Sequence, residues 1–271
     1  MTEAPQAAQP AANRWSDLRP RILSALAMVV VGAVAIWHGG VFFAELAVLC
    51  TGLMMWELAR ITRGPGYDAS ILLGMLAAAV LALNVFVPLV WVVPLMVLPV
   101  LVGLIAPRRD AGVFVAYALV IMATGWALVA LRHSGGLVPV MWLLAVVAAS
   151  DVLGYFAGRT LGGPKFWPKV SPKKTWSGTI AGWLGAALVG AGFWAAGQGP
   201  LALIWVSPLV ALAGQMGDIA ESAIKRRAGV KDSSNLIPGH GGLMDRFDAL
   251  AFAAILTVLL LPVLRLFPAA G

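Results

Sequence analysis

The sequence predicts an all-α, polytopic integral membrane protein, and three observations carry that expectation. Of the 271 residues, 61% are hydrophobic and only 11% are charged, against about 25% charged in a typical soluble domain. Mean hydropathy is +0.90. Apolar runs recur at lengths close to the ~20 residues that a helix needs to cross the hydrocarbon core, and the basic residues fall between them in an alternating pattern.

Breaks at Pro, Gly and charge clusters divide the chain into about nine expected transmembrane helices. The first, near residues 21–37, follows Arg14, Arg19 and Arg21. The second, 41–58, ends before Arg60 and Arg63. The third and fourth, 70–85 and 89–106, are separated only by Phe86-Val87-Pro88, and Arg108 and Arg109 close the fourth. The fifth and sixth are 112–131 and 137–156. Arg159, Lys165, Lys169, Lys173 and Lys174 follow the sixth. The seventh and eighth are 178–196 and 201–220. Lys225, Arg226, Arg227, Lys231 and Arg246 separate the eighth from the ninth, 247–267. All but two of the 19 Lys and Arg thus fall on one side, the exceptions being Arg132 and Arg265. The positive-inside rule then gives a cytoplasmic N-terminus and an exported C-terminus. Residues 1–20, rich in Ala, Pro and Gln at their start, read as a disordered cytoplasmic tail. The first apolar run lacks a clear small-x-small cleavage site and reads as a retained helix.

The net charge of +7 resides in these loops, where basic residues attract anionic headgroups. Being split among short connections, they argue against nucleic-acid binding. No internal repeat is evident. A lone Cys50 in an apolar run excludes an intrachain disulfide and reads as a small buried hydrophobe. Tryptophans near span ends, such as Trp37 and Trp56, read as interface anchors, and His38 and His133 as incidental.

Charge concentrated between Gly217 and Asp248 is not explained by insertion, since a charged side chain at membrane depth costs roughly 2.5–3.5 kcal/mol. If the eighth helix continues, Asp218, Glu221, Ser222 and Lys225 share one face. Asp245 and Asp248 form a second pair opening the ninth helix. Two such pairs make a cage for hard cations such as magnesium; a salt-bridge network with Lys225 and Arg246 is the plainer reading. Between them, Pro238-Gly239-His240-Gly241-Gly242 allows close backbone approach to a ligand. His240 is a candidate phosphate partner or a plain loop histidine. In the loop before the seventh span, Ser171, Lys173, Lys174 and Thr175 suit a phosphate group, or form an ordinary basic loop with Thr175 or Ser177 capping the helix. Asp151, inside the sixth span, needs a partner or a metal. Glu57, at the end of the second span, either faces this region or is simply interfacial.

The run Ser222-x-Ile224-Lys225-Arg226, then Lys231-Asp232-x-Ser234, then Ile237-Pro238-x-His240-Gly241-Gly242-Leu243-x-Asp245-Arg246-Phe247-Asp248 resembles the complete signature of phosphatidate cytidylyltransferases (CDP-diacylglycerol synthases). Ser-Pro-Lys-Lys-Thr-Trp at 171–176 and the Asp151, Tyr155, Gly158, Arg159 stretch are also similar to that family. Ser177 departs from the Glu or Gln expected there. The resemblance covers roughly 151–248. It implies transfer of CMP from CTP to phosphatidate, giving CDP-diacylglycerol and pyrophosphate, with Mg2+ and room for a second metal ion. It further implies Asp218 and Asp245 as principal metal ligands assisted by Glu221 and Asp248. Lys173, Lys174, Lys225, Arg226, Lys231 and Arg246 are implied for the phosphates, with Ser171, Thr175, Ser222, His240, Gly241 and Gly242 as substrate contacts and Asp151 and Asp232 as further candidates. On this reading 21–136 holds the N-terminal transmembrane helices and 137–271 the catalytic transmembrane region. The expected setting is the bacterial inner membrane, with the active site on the cytoplasmic side and a homodimer allowed by small-residue helix faces. A CTP-dependent polyprenol-type lipid kinase is the alternative in chemistry, and an ion-coupled transporter the alternative in class. A CDP-alcohol phosphatidyltransferase is disfavoured because its Asp-Gly-x-x-Ala-Arg pattern is absent.

Overall fold

Apolar runs of this length fold as helices because lipid offers no partner to a bare backbone N–H or C=O. The structure, a computed structural model, describes residues 18–66, 68–87, 90–168 and 170–267. The expected tail therefore lies almost wholly outside the described residues. In chain order the α-helices are α1 (Leu18–His38), α2 (Gly40–Ile61), α3 (Ser70–Phe86), α4 (Leu98–Gly103), α5 (Ala111–Gly135), α6 (Leu137–Thr160), α7 (Trp176–Ala195), α8 (Leu203–Ala228) and α9 (Met244–Leu264). Seven of these described helices, all except α3 and α4, are long and apolar enough to cross a membrane.

Two expectations need correction. The fourth expected span is not one continuous α-helix: a 3-10 segment, Val90–Val97, leads into the short α4. Pro94 lies inside the 3-10 segment, where it removes a backbone donor and crowds the preceding turn, and Pro99 sits in the first turn of α4, where proline suits a helix start. Nor is the chain purely helical. Between α6 and α7, β1 (Lys165–Trp167) pairs antiparallel with β2 (Ser171–Thr175), Lys165 opposite Thr175 and Trp167 opposite Ser171.

Two apolar clusters make the interior. One gathers α5, α6, α8 and α9 around Trp142, Leu143 and Val206; the other joins α2, α3 and α5 around Met55, Leu58 and Phe114. Cys50 is buried and unpaired, as its setting suggested. Small residues bring the remaining helices together. A Cβ built on Gly178 would lie 2.5 Å from the Gly154 carbonyl oxygen, and one on Gly190 would lie 2.2 Å from that of Leu203. These small faces of α7 are used against α6 and α8 within the chain. Helix α1 is peripheral, with Ala35 its buried residue. It is tied at one end by Arg132, which donates to the Ile36 carbonyl at 3.1 Å, and at the other by Ser24, which donates to that of Pro238 at 2.8 Å. At the turn into α5, Arg108 donates to the carbonyls of Gly103 (2.7 Å) and Ala59 (2.9 Å), and burial pulls its guanidinium pKa down.

Candidate active site

The site begins with a helix that does not stop where its apolar run does. Helix α8 continues to Ala228 and closes on Gly229 in the left-handed conformation, which glycine adopts without strain. Asp218, Glu221, Ser222 and Lys225 therefore lie on one face, as the spacing predicts. Helix α9 starts at Met244 and carries Asp245 and Asp248 in its opening turns. The two helices nearly touch here: a Cβ on Gly217 would sit 2.2 Å from the Asp248 carbonyl oxygen. Only glycine allows that approach, and it brings the neighbouring Asp218 beside the start of α9.

Lys225 lies between two acids. Its Nζ is 2.5 Å from Glu221 Oε2 and 2.6 Å from Asp245 Oδ1. The Glu221 side chain is fully buried, and neither of its oxygens has a hydrogen bond of good geometry. Asp245, 4% exposed, is by contrast saturated. It accepts from Lys225 Nζ, from Ser233 N (3.0 Å) and Oγ (3.1 Å), and from Gly242 N (2.7 Å). These bonds fold the connection between α8 and α9 back over the end of α9.

Of the two readings of Glu57, the structure takes the one in which it faces this region, and it grips the same connection. Glu57 of α2, fully buried, accepts from Ser234 Oγ at 2.5 Å, Leu243 N at 2.9 Å and Met244 N at 2.6 Å. Its signal was present in the sequence, as a lone acid at the end of an apolar span. Its partners were not, because they lie as far as 187 positions away. Gly242 fits between these groups: a Cβ there would meet Ser233 Oγ at 1.9 Å and Glu57 Oε1 at 2.5 Å.

The β1–β2 hairpin forms a second wall. In β2, Lys174 is half-buried and Lys173 is exposed. Lys174 Nζ pairs with Asp218 Oδ2 at 2.5 Å and donates to the Gln215 carbonyl at 3.3 Å. Ser222 Oγ lies 3.5 Å from Asp218 Oδ1. Thr175 is the helix cap of the plainer reading, its hydroxyl accepting from Gly178 N at 3.2 Å. Beside it, Ser177 bonds to Thr175 and to the Gly162 carbonyl. A cavity of about 490 Å³ opens next to this wall, lined by Asp151, Tyr155, Arg159, Lys173, Lys174 and Gln215 among others. Ser171 starts the strand beneath it.

The remaining candidates are more dispersed. Arg226, Lys231, Asp232 and Arg246 are exposed around the rim. His240 turns its Nδ1 toward Ser24 Oγ of α1 (2.9 Å) rather than toward the acids, and Gly241 occupies φ +82°. Among the described residues no three His, Cys, Asp or Glu side chains converge on one metal-sized point; Lys225 and Lys174 lie among the carboxylates. The donor chemistry nevertheless suits a hard cation. Four carboxylates share one end of two touching helices, and the buried Glu221 leaves Oε1 without a hydrogen bond while Oε2 pairs with Lys225.

Acids, lysines and a glycine-bearing loop, gathered at one end of a bundle of apolar helices, define a membrane-embedded enzyme that handles phosphate groups. The particular family follows from comparison: the chain belongs to the cytidylyltransferase family, whose profile matches residues 19–264. It is 32% identical to a phosphatidate cytidylyltransferase of Brucella abortus over 269 residues, covering 90% of this chain and 93% of that protein. It is also 40% identical over 132 residues to a phosphatidate cytidylyltransferase of Helicobacter pylori, covering 48% of this chain and 49% of that protein. Against one of Bacillus subtilis it is 39% identical over 120 residues, 43% of this chain and 45% of the relative.

Proposed function

We propose that this enzyme transfers CMP from CTP to phosphatidate, releasing pyrophosphate and forming CDP-diacylglycerol for phospholipid synthesis. The observation that carries the reading is the unbroken run from Ser222 to Asp248, folded so that Asp218, Glu221, Lys225, Asp245 and Asp248 meet at the ends of α8 and α9. The nucleophile is the phosphate of phosphatidate, already largely ionised near neutral pH, so no strong general base is required. The difficulty lies in bringing two anions together and stabilising charge on the departing pyrophosphate, which is a matter of positioning and electrostatics.

Lys174, held by Asp218, and Lys225, held by Glu221 and Asp245, are preorganised cations for those phosphates. Exposed Lys173, Arg226, Lys231 and Arg246 would draw CTP from water. Magnesium, alone or as a pair of ions, would be held by Asp218, Asp248 and Glu221, with Asp245 sharing it only on releasing Lys225. When bound, it would supply Lewis-acid neutralisation of the phosphate oxygens. In this reading the N-terminus is cytoplasmic, the C-terminus exported, and α3 with the 90–103 segment completes nine crossings of a bacterial inner membrane. CTP then arrives from the cytoplasm and phosphatidate laterally from the leaflet.

Incubating the purified protein with radiolabelled CTP, phosphatidate and magnesium, followed by lipid extraction, tests the reading. Label is expected in a CDP-lipid, with pyrophosphate released, and a chelator should abolish it until magnesium is restored. Label absent from the lipid phase would overturn the assignment, and phosphorylated lipid with free CDP would indicate a kinase.

A further inference from the structure

Glu57 lies outside the Ser222–Asp248 run, in the half of the chain that looked merely hydrophobic. Its carboxylate faces four neutral donors: the hydroxyl of Ser234 (2.5 Å), the backbone N–H groups of Leu243 (2.9 Å) and Met244 (2.6 Å), and the hydroxyl of Ser233 (3.2 Å), whose one proton is shared with Asp245 (3.1 Å). Among the described residues no Lys or Arg pairs with it. Leu243 and Met244 carry the first N–H groups of α9, donors that a helix cannot satisfy itself. No side chain at the N-cap position serves them. Glu57 does so from another helix, and its negative charge suits the positive end of the α9 dipole.

The same carboxylate holds both ends of one segment. Ser233 and Ser234 are its start, Leu243 and Met244 its finish, and Pro238 to Gly242 lie between. Asp245 binds the same segment from the other side, through Ser233 and Gly242 N. Asp245 also takes Lys225 Nζ, so the contacts run continuously from Glu57 through Ser233 and Asp245 to Lys225 and Glu221.

We propose that Glu57 is a positioning residue for cytidylyl transfer. It fixes the 233–243 segment so that Asp245 and the Gly241-Gly242 backbone are set against the Lys225–Glu221 pair. This role rests on the cytidylyltransfer reading above.

The test compares wild type with Glu57→Gln and Ser234→Ala in detergent. Glutamine keeps the size of the side chain but points an amide donor at groups that are themselves donors. Ser234→Ala keeps the carboxylate and deletes one bond, which safeguards the test should Glu57→Gln fail to fold. Three quantities are measured: kcat and KM for each substrate per folded protein, the melting temperature, and backbone hydrogen exchange. The expected result for Glu57→Gln is a fall in kcat/KM of about tenfold to a hundredfold. Faster exchange should be confined to 233–244, with the rest of the protein exchanging as in wild type. Ser234→Ala should change both in the same direction by less, and the double variant should fall short of the product of the single effects, because the two residues share a bond. Either of two results overturns the proposal: kcat/KM per folded protein within twofold of wild type in both variants, or exchange that rises throughout the protein together with a lowered melting temperature. Exchange needs no substrate, so it reports on Glu57 even if wild-type protein makes no CDP-lipid. That failure would count against the reaction instead.

Discussion

At Asp218 and Asp245 two carboxylates drawn from the same run of sequence do different work. Asp218 is partly open, 35% exposed, and faces a lysine across the site. Asp245 is nearly sealed and holds a lysine, a serine and a glycine amide. Asp218→Asn is therefore expected to cut kcat on the order of a hundredfold, the scale for losing one preorganised electrostatic partner, with little change in melting temperature. Asp245→Ala should abolish turnover and also destabilise the protein by roughly 1–3 kcal/mol, the cost of leaving the buried Ser233 and Gly242 donors without their acceptor, Lys225 keeping its pair with Glu221. Near-normal turnover in either variant, or equal melting shifts in the two, would contradict this division. Helical spacing made the shared face of Asp218, Glu221 and Lys225 legible in the sequence. It did not show that Lys225 serves both helices at once, nor that Glu57 faces the loop, because both facts depend on contacts between distant segments.

Among the elements, the crossing of α8 over α9 decides whether the two acid pairs meet. Gly217 makes the crossing close enough, and a branched side chain has no room there. Gly217→Leu is expected to force the helices apart at a cost of about 1–3 kcal/mol, and to lose more activity than Gly192→Leu, where a Cβ would meet nothing within 4 Å. Equal activity of the two variants, measured alongside their melting temperatures, would show that the crossing does not set the site. The long helices were readable because apolar length is nearly sufficient evidence for a span. The β1–β2 hairpin was not: its strands of three and five residues are too short to give periodicity, and their pairing becomes visible only in three dimensions. The break inside the fourth expected span was not legible for a related reason, since hydropathy ignores where proline interrupts the backbone ladder.

For the whole molecule, the chemistry collects at one end of the bundle: Glu57 at the end of α2, Asp151 toward that of α6, Lys174 before α7, Lys225 late in α8 and Asp245 at the start of α9. In the proposed topology that end faces the cytoplasm, and the chain provides a convenient background for testing it. Cys50 is the single cysteine and is buried, so an impermeant maleimide should report on one introduced thiol. Asn235→Cys is expected to react from the cytoplasmic face and Gln198→Cys from the opposite face, in vesicles of known orientation. Labelling of both from the same side would refute the proposed topology.

The clamp at Glu57 has a consequence for biosynthesis. Helix α2 leaves the ribosome early and α9 late, and the loop that joins them through hydrogen bonds emerges only just before α9. Until then Glu57 lacks all four of its donors, and an acid at the end of a span must rest against water or headgroups. The charged end of the bundle is therefore completed by α9. A chain halted after α8 would sit in the membrane with most of its charged residues in place and still be inert, and closure of the loop onto Glu57 would be the final event of assembly.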